Sequence, residues 1–192
     1  MENVASLRKR LLFLTGDPGV GKTTVLLKTV EVLKSKGYSV GGMVSREVRD
    51  HGNRIGFEIL DLNSGKRGWL AHTSQKTGPS IGRYRVNLND LENVGVTAIV
   101  EALKSLDIII IDEIGPMELT SPIFKTEIER IIESKKLVIG VVHRKARDSL
   151  VDEVKKRDDA QIFVVTHDNR NNLHKIVVAE AIAFLAKTSI QM

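Results

Sequence analysis

The chain contains no cysteine, which excludes disulfides and thiolate metal sites. Aromatic residues are scarce, with one Trp, two Tyr and five Phe, and they do not interleave with the basic residues. A stacking platform for single-stranded nucleic acid is therefore missing. No apolar run approaches the roughly 20 residues that a membrane span requires, so no membrane association is expected. Met1-Glu2-Asn3-Val4 carries no signal-peptide core, and a cytoplasmic protein is the expectation. Repeats and linkers are absent too. The 192 residues, 42% hydrophobic and 28% charged, have the size and composition of one soluble domain, residues 1–192. The net charge of +5 is spread along the chain. It suits attraction of a small polyanion; nucleic acid is a possible ligand but not the favoured one.

The most informative segment that is present is Gly16-Asp17-Pro18-Gly19-Val20-Gly21-Lys22-Thr23, which matches G-x-x-x-x-G-K-[ST] without a mismatch. Leu11-Leu12-Phe13-Leu14-Thr15 before it reads as a buried strand. Val25 to Lys36 after it reads as an amphipathic helix, with Val25, Leu26, Val30 and Leu33 at helical spacing. In a strand–loop–helix setting the three glycines let the backbone N–H groups wrap a β-phosphate, and the helix N-terminus adds its positive dipole end. Lys22 would bridge the β- and γ-phosphates, and the Thr23 hydroxyl would coordinate Mg²⁺.

Beyond the loop, strands and helices alternate, which predicts an α/β fold of three layers with a parallel sheet covered on both faces. Strands are predicted at Tyr38 to Val44, Ile108 to Ile111, Leu137 to Val142 and Ile162 to Val165. Helices are predicted from Asp90 to Ser105, Ser121 to Ser134, Ala146 to Lys156 and Asn171 to Lys187. Asn89 and Glu92 have capping-box spacing for the first of these. Residues 45–86 break the alternation: Arg46 to Arg49, Ile55 to Leu62 and Gly68 to Ala71 read as short strands joined by hairpin-type turns. They predict a β-meander at one edge of the sheet, with 76–82 its loosest segment.

Ile108-Ile109-Ile110-Ile111-Asp112-Glu113 supplies the second half of the site. An acid at the carboxyl end of a buried strand reaches the Mg²⁺ of a bound triphosphate, so Thr23 and Asp112 are the predicted metal residues. Glu113 is placed to polarise water for in-line attack; the alternatives are a turn cap or a lysine pair. By analogy with other phosphate-loop proteins carrying a Glu at this point, Leu137 to Val142 is expected between the loop strand and the Asp strand. That brings His143 and Arg144 near the γ-phosphate, with Arg144 the better charge stabiliser and a solvated loop pair the plain alternative. Arg46, Arg83 and Arg170 are further loop arginines, each more ordinarily a surface residue. Thr166-His167-Asp168-Asn169-Arg170 does not match the guanine-reading Asn-Lys-x-Asp, so loose base selectivity is expected.

These segments, together with Asp-Glu-Ile-Gly-Pro-Met-Glu at 112–118 and Ser-Arg-Glu-Val-Arg at 45–49, resemble the small P-loop nucleoside-triphosphatases first described from thermophiles, a family that includes the cancer-related nucleoside-triphosphatase. The resemblance covers almost the whole chain. It implies a RecA-like, mostly parallel sheet and Mg²⁺-dependent hydrolysis of several nucleoside triphosphates (ATP, GTP, CTP, UTP); a monomer is expected. The nucleotide-binding residues would be Gly16, Asp17, Pro18, Gly19, Val20, Gly21, Lys22, Thr23, Thr24, Asp112 and Glu113; Lys22, Glu113 and Arg144 are the catalytic candidates. Glu118 shares the motif and equally suits a capping acid ahead of Ser121. A P-loop kinase acting on a nucleoside or RNA hydroxyl and a nucleotide-switched binding module remain open as rivals.

Overall fold

The structure, a computed structural model, describes residues 9–188; the reading of Met1 to Val4 lies outside them. The order is β1 (Leu11–Thr15), α1 (Lys22–Ser35), β2 (Val40–Asp50), β3 (Asn53–Asp61), β4 (Arg67–His72), β5 (Ser80–Ile81), β6 (Tyr84–Val86), α2 (Leu88–Asp90), a π-helical stretch (Leu91–Val96), α3 (Thr97–Ser105), β7 (Ile108–Ile114), a 3₁₀ turn (Glu118–Thr120), α4 (Pro122–Glu133), β8 (Leu137–Val142), α5 (Ser149–Lys156), β9 (Ala160–Val164) and α6 (Leu173–Thr188).

The strands form one sheet in the order β5-β6-β4-β3-β2-β7-β8-β1-β9. From β2 to β9 the pairing is parallel; the remainder is antiparallel. Strand β8 does lie between the loop strand β1 and the acid-bearing β7. Central parallel strands are covered on both faces, so they need consecutive apolar residues, and β8 is buried throughout. Alternate side chains serve opposite layers. Leu12, Leu14, Ile108 and Ile110 pack with Val25, Leu26 and Leu33 of α1 and Val177 of α6. Leu11, Phe13, Ile109 and Ile111 pack with Ile99 of α3, Ile128 of α4 and Leu150 of α5. That arrangement is the predicted three-layer fold, with the meander at the predicted edge.

Several boundaries differ from the sequence reading. The two strands expected around Val44 and Arg46 are one, because Val40–Met43 pair with β7 while Met43–Asp50 pair with β3. Arg46 is consequently a strand residue, not a loop residue. Apolar periodicity passes over the polar first turn of α1, which opens at Lys22, and the 88–105 helical stretch opens at Leu88. Asn87, not Asn89, caps that stretch by accepting from the Asp90 N–H at 3.1 Å. Glu92 closes no capping box; it accepts from the Ser121 hydroxyl at 2.8 Å. Helix α5 opens at Ser149, where Asp148 accepts from the Leu150 N–H at 3.0 Å. Segment 76–82 is tied down: Pro79 O accepts from Val86 N at 2.9 Å, and Ser80 and Ile81 pair with β6.

Gly42 fixes the β2–β7 contact. It sits at φ +116°, and a Cβ there would stand 2.1 Å from the Ile110 carbonyl oxygen. Gly42→Ala is expected to destabilise the fold by more than about 2 kcal/mol through steric conflict and left-handed backbone. A denaturant midpoint equal to that of the parent chain would contradict this packing.

Candidate active site

Strand β1 delivers the chain into residues 16–21, a loop that wraps the N-terminus of α1. Gly16 passes close under the neighbouring turn: a Cβ there would lie 2.8 Å from the Val165 carbonyl oxygen. Gly21 occupies the helix N-cap at φ +107°, with no side chain to cap and no acid in the first turn. The first-turn N–H groups are thus left facing the loop's concavity, where the dipole end favours an anion. Lys22 Nζ lies 3.2 Å from the carbonyl oxygens of both Gly16 and Asp17, so its charge sits across the loop mouth. Arg144 Nη1 reaches Asp17 Oδ1 at 2.8 Å with both side chains more than half exposed. In water that pair adds little stability, but it parks Arg144 on the rim of the loop.

Opposite the loop stands a wall of carboxyl groups. The β7–β8 register shifts between Ile111 and Ile114, which lifts Asp112 and Glu113 out of the regular ladder at the strand's carboxyl end. Asp112 is 2% exposed, and burial, aided by the neighbouring Glu113 charge, pushes its carboxyl up to about 7 against the opposing pull of the Thr23 hydroxyl. Burial raises Glu113 as well, with the Lys22 charge opposing. Asp112 Oδ2 and Glu113 Oε1 are buried with no hydrogen-bond partner among the described residues. Such orphaned acceptors are costly unless a ligand supplies the missing partners.

Glu118 completes the wall and was not distinguishable from a cap in the sequence. It is 4% exposed, and burial, reinforced by Glu113 and Asp112, lifts it to about 8. Its Oε2 and Glu113 Oε1 lie 3.2 and 3.3 Å from the point where a Gly115 side chain would begin. Helix α4 is capped instead by Ser121 itself, whose Oγ accepts from Phe124 N at 3.1 Å. The 3₁₀ turn at Glu118–Thr120 folds the acid back toward β7, and a one-turn detour of this kind leaves no apolar period to read.

At the end of β8, His143 and Arg144 both line the cleft. His143 is depressed by burial and by the charges of Lys22 and Lys155, and its Nδ1 accepts from the Lys145 N–H at 3.2 Å. Lys155 clamps this corner, donating to the carbonyls of His143 and Arg144 at 2.9 and 3.1 Å; no local pattern announces that contact. Arg46 also lines the cleft, already paired with Glu58 at 2.5 Å. Arg83 lies over the Tyr84 ring in the meander, and Arg170 lies beside Gly21 on the other flank of the loop. The cleft itself, about 660 Å³, runs from the loop past the acids to Phe57, Leu70 and Ile81.

An anion-cradling loop at a helix N-terminus, a lysine across its mouth and an acid on the next-but-one strand of a three-layer sheet define a P-loop nucleoside-triphosphatase fold. Two solved structures share it at a TM-score of 0.75 each. They are the crystal structure of THEP1 from Aquifex aeolicus, 28% identical, and the solution structure of a human cancer-related nucleoside triphosphatase, 36% identical. Each covers 88% of this chain and 96% of its own. Residues 11–178 match the model of the NTPase family, and the chain belongs to that family. Among curated relatives, Nucleoside-triphosphatase THEP1 of Thermofilum pendens is 41% identical over 175 residues, spanning 91% of this chain and 96% of that protein. The protein of the same name from Methanothermobacter thermautotrophicus is 42% identical over 167 residues, spanning 87% and 93%. Among the described residues no helix is long and apolar enough to cross a membrane.

The buried acids give stability a pH dependence. With Glu118 lifted from 4.5 to about 8, the folded state keeps a proton that the unfolded state has released between those values. Ligand-free stability therefore falls as pH rises through that window, and Asp112 acts in the same direction up to about 7. Melting curves of the parent and Glu118→Gln at several pH values check this: the variant is expected to lose less of its melting temperature between about pH 5 and 8. An equal loss in both proteins would contradict the burial of an ionisable Glu118.

Proposed function

We propose that this chain hydrolyses the β–γ bond of nucleoside 5′-triphosphates, releasing diphosphate and phosphate with low base selectivity. The observation that carries the proposal is the unpartnered, mostly buried Glu113 carboxylate beside the Lys22 loop. The names of the curated relatives, each a nucleoside-triphosphatase, support the same reading.

In this proposal the loop N–H groups and Lys22 hold the β- and γ-phosphates. Glu113 Oε1 accepts a proton from a water as the water oxygen attacks the γ-phosphorus in line; the bond to the bridging oxygen breaks and its electron pair leaves with the diphosphate. Arg144, swung from Asp17, and the neutral His143 are near enough to the cleft to meet charge developing on the transferred group. Asp112 and Thr23 fit a Mg²⁺ ion: a buried carboxylate oxygen without a partner beside a hydroxyl is a hard-oxygen pair, suited to an ion that takes its other ligands from phosphates and water. When bound, the ion would neutralise phosphate charge.

Glu113→Gln is expected to keep nucleotide binding while lowering phosphate release by at least about 10²-fold. Lys22→Ala should weaken both. Parent-like turnover in Glu113→Gln would remove the proposal's support. A second reading, phosphoryl transfer, rests on the apolar end of the cleft at Phe57, Leu70 and Ile81, which has room for a hydroxyl-bearing acceptor. Phosphate release that stays negligible until a nucleoside or RNA end is added would favour it over hydrolysis.

A further inference from the structure

The phosphate site has a fixed direction. Asp112, Glu113 and Glu118 lie at the carboxyl end of β7, and His143 and Arg144 at the end of β8, on one side of the loop strand β1. On the proposed function, the γ-phosphate end of a nucleotide would lie there. Strand β9 lies on the opposite side of β1, so the nucleoside end would leave the loop over β9 and the turn that follows it.

That turn is built and held against the loop. Val165 N donates to Thr15 O at 2.7 Å, and Arg170 N to Thr166 O at 3.1 Å. Asn169 staples it internally: Oδ1 accepts from Thr166 N at 2.9 Å, while Nδ2 donates to Val164 O at 2.8 Å. Arg170 projects from the end of the turn, its Cδ 3.6 Å from where a Gly21 side chain would begin. Among the described residues its guanidinium hydrogen-bonds only the Val20 carbonyl, from Nη1 at 3.5 Å, a long contact that leaves the charge poorly satisfied.

We infer that Arg170 is the nucleoside platform of the site: its planar guanidinium stacks on the base of whichever nucleoside triphosphate the loop holds. The inference rests on the proposed triphosphate site and assigns its base-binding residue. Guanidinium stacking uses the π-face that every base has and reads no hydrogen-bonding edge. Asn169, the amide next to Arg170 in the turn, has both polar ends engaged there. Both facts accord with loose base selectivity.

The test is binding, measured by calorimetry with Mg²⁺ and slowly hydrolysed analogues of ATP, GTP, CTP and UTP, with inorganic tripolyphosphate as a ligand lacking a base. Arg170→Ala is expected to raise Kd for all four nucleotides by about 5- to 20-fold and to leave Kd for tripolyphosphate within about 2-fold. Arg170→Tyr, which keeps a stacking plane without the charge, should recover most of the nucleotide affinity. A matched loss for tripolyphosphate would make Arg170 a phosphate contact and overturn the inference; so would unchanged nucleotide affinity, or a loss confined to one base. Parent protein that binds nucleotides yet releases no phosphate would overturn hydrolysis alone, with the Arg170 comparison still decided by Kd. Parent protein that binds none would overturn both. Melting temperatures of both variants establish that the fold is retained.

Discussion

The structure turns on carboxyl groups that burial strips of much of their water: Asp112 and Glu118 are buried and Glu113 is mostly so. Asp112, Glu113 and Glu118 share one wall of a cleft, at the end of a strand whose preceding residues are wholly buried. Burial raises all three; Glu113 adds to the cost of ionising Asp112, both add to that of Glu118, and the Lys22 charge opposes the shifts of Asp112 and Glu113. Without ligand that wall is an electrostatic liability. A triphosphate with its counter-ion would bring positive charge to Asp112 and a proton donor to Glu113. The same burial that weakens the empty protein would therefore strengthen contacts made to the reacting groups, because charges interact more strongly in a site screened from water.

The rest of the fold serves that wall. Parallel pairing of β7, β8 and β1 brings their carboxyl ends to one edge, so a loop from β1, acids from β7 and His143 and Arg144 from β8 converge. Insertion of β8 between the other two sets the spacing across which a γ-phosphate would lie. The meander continues the same sheet and closes the far end of the cleft with Phe57 and Leu70. On the other flank, a turn stapled by Asn169 holds Arg170 beside the loop. In the proposed reading, phosphate chemistry and nucleoside contact fall on opposite sides of β1.

Much of this was legible in the sequence, where local chemistry dictates it. The glycine pattern of 16–21, the four isoleucines before Asp112 and the turn residues of the meander each have a direct physical reading, and their elements stand where that reading puts them. The position of β8 came from analogy, and the sheet order agrees. Glu118 was ambiguous because its role depends on a 3₁₀ turn that returns it to β7. The clamp from Lys155 and the place of Arg170 beside Gly21 depend on contacts between residues far apart in the chain. The helix start at Leu88 is hidden because Asn89 carries the familiar capping-box spacing while the side chain that caps, Asn87, lies two residues earlier.

In the proposed reaction, water activated beside the loop attacks the γ-phosphorus in a single in-line step. The most direct measurement is hydrolysis of a γ-thiotriphosphate made chiral with oxygen isotopes, run in labelled water. The expected result is one solvent oxygen in the released thiophosphate, inverted configuration at phosphorus and no label in the diphosphate. Retained configuration, or solvent oxygen in the diphosphate, would contradict it.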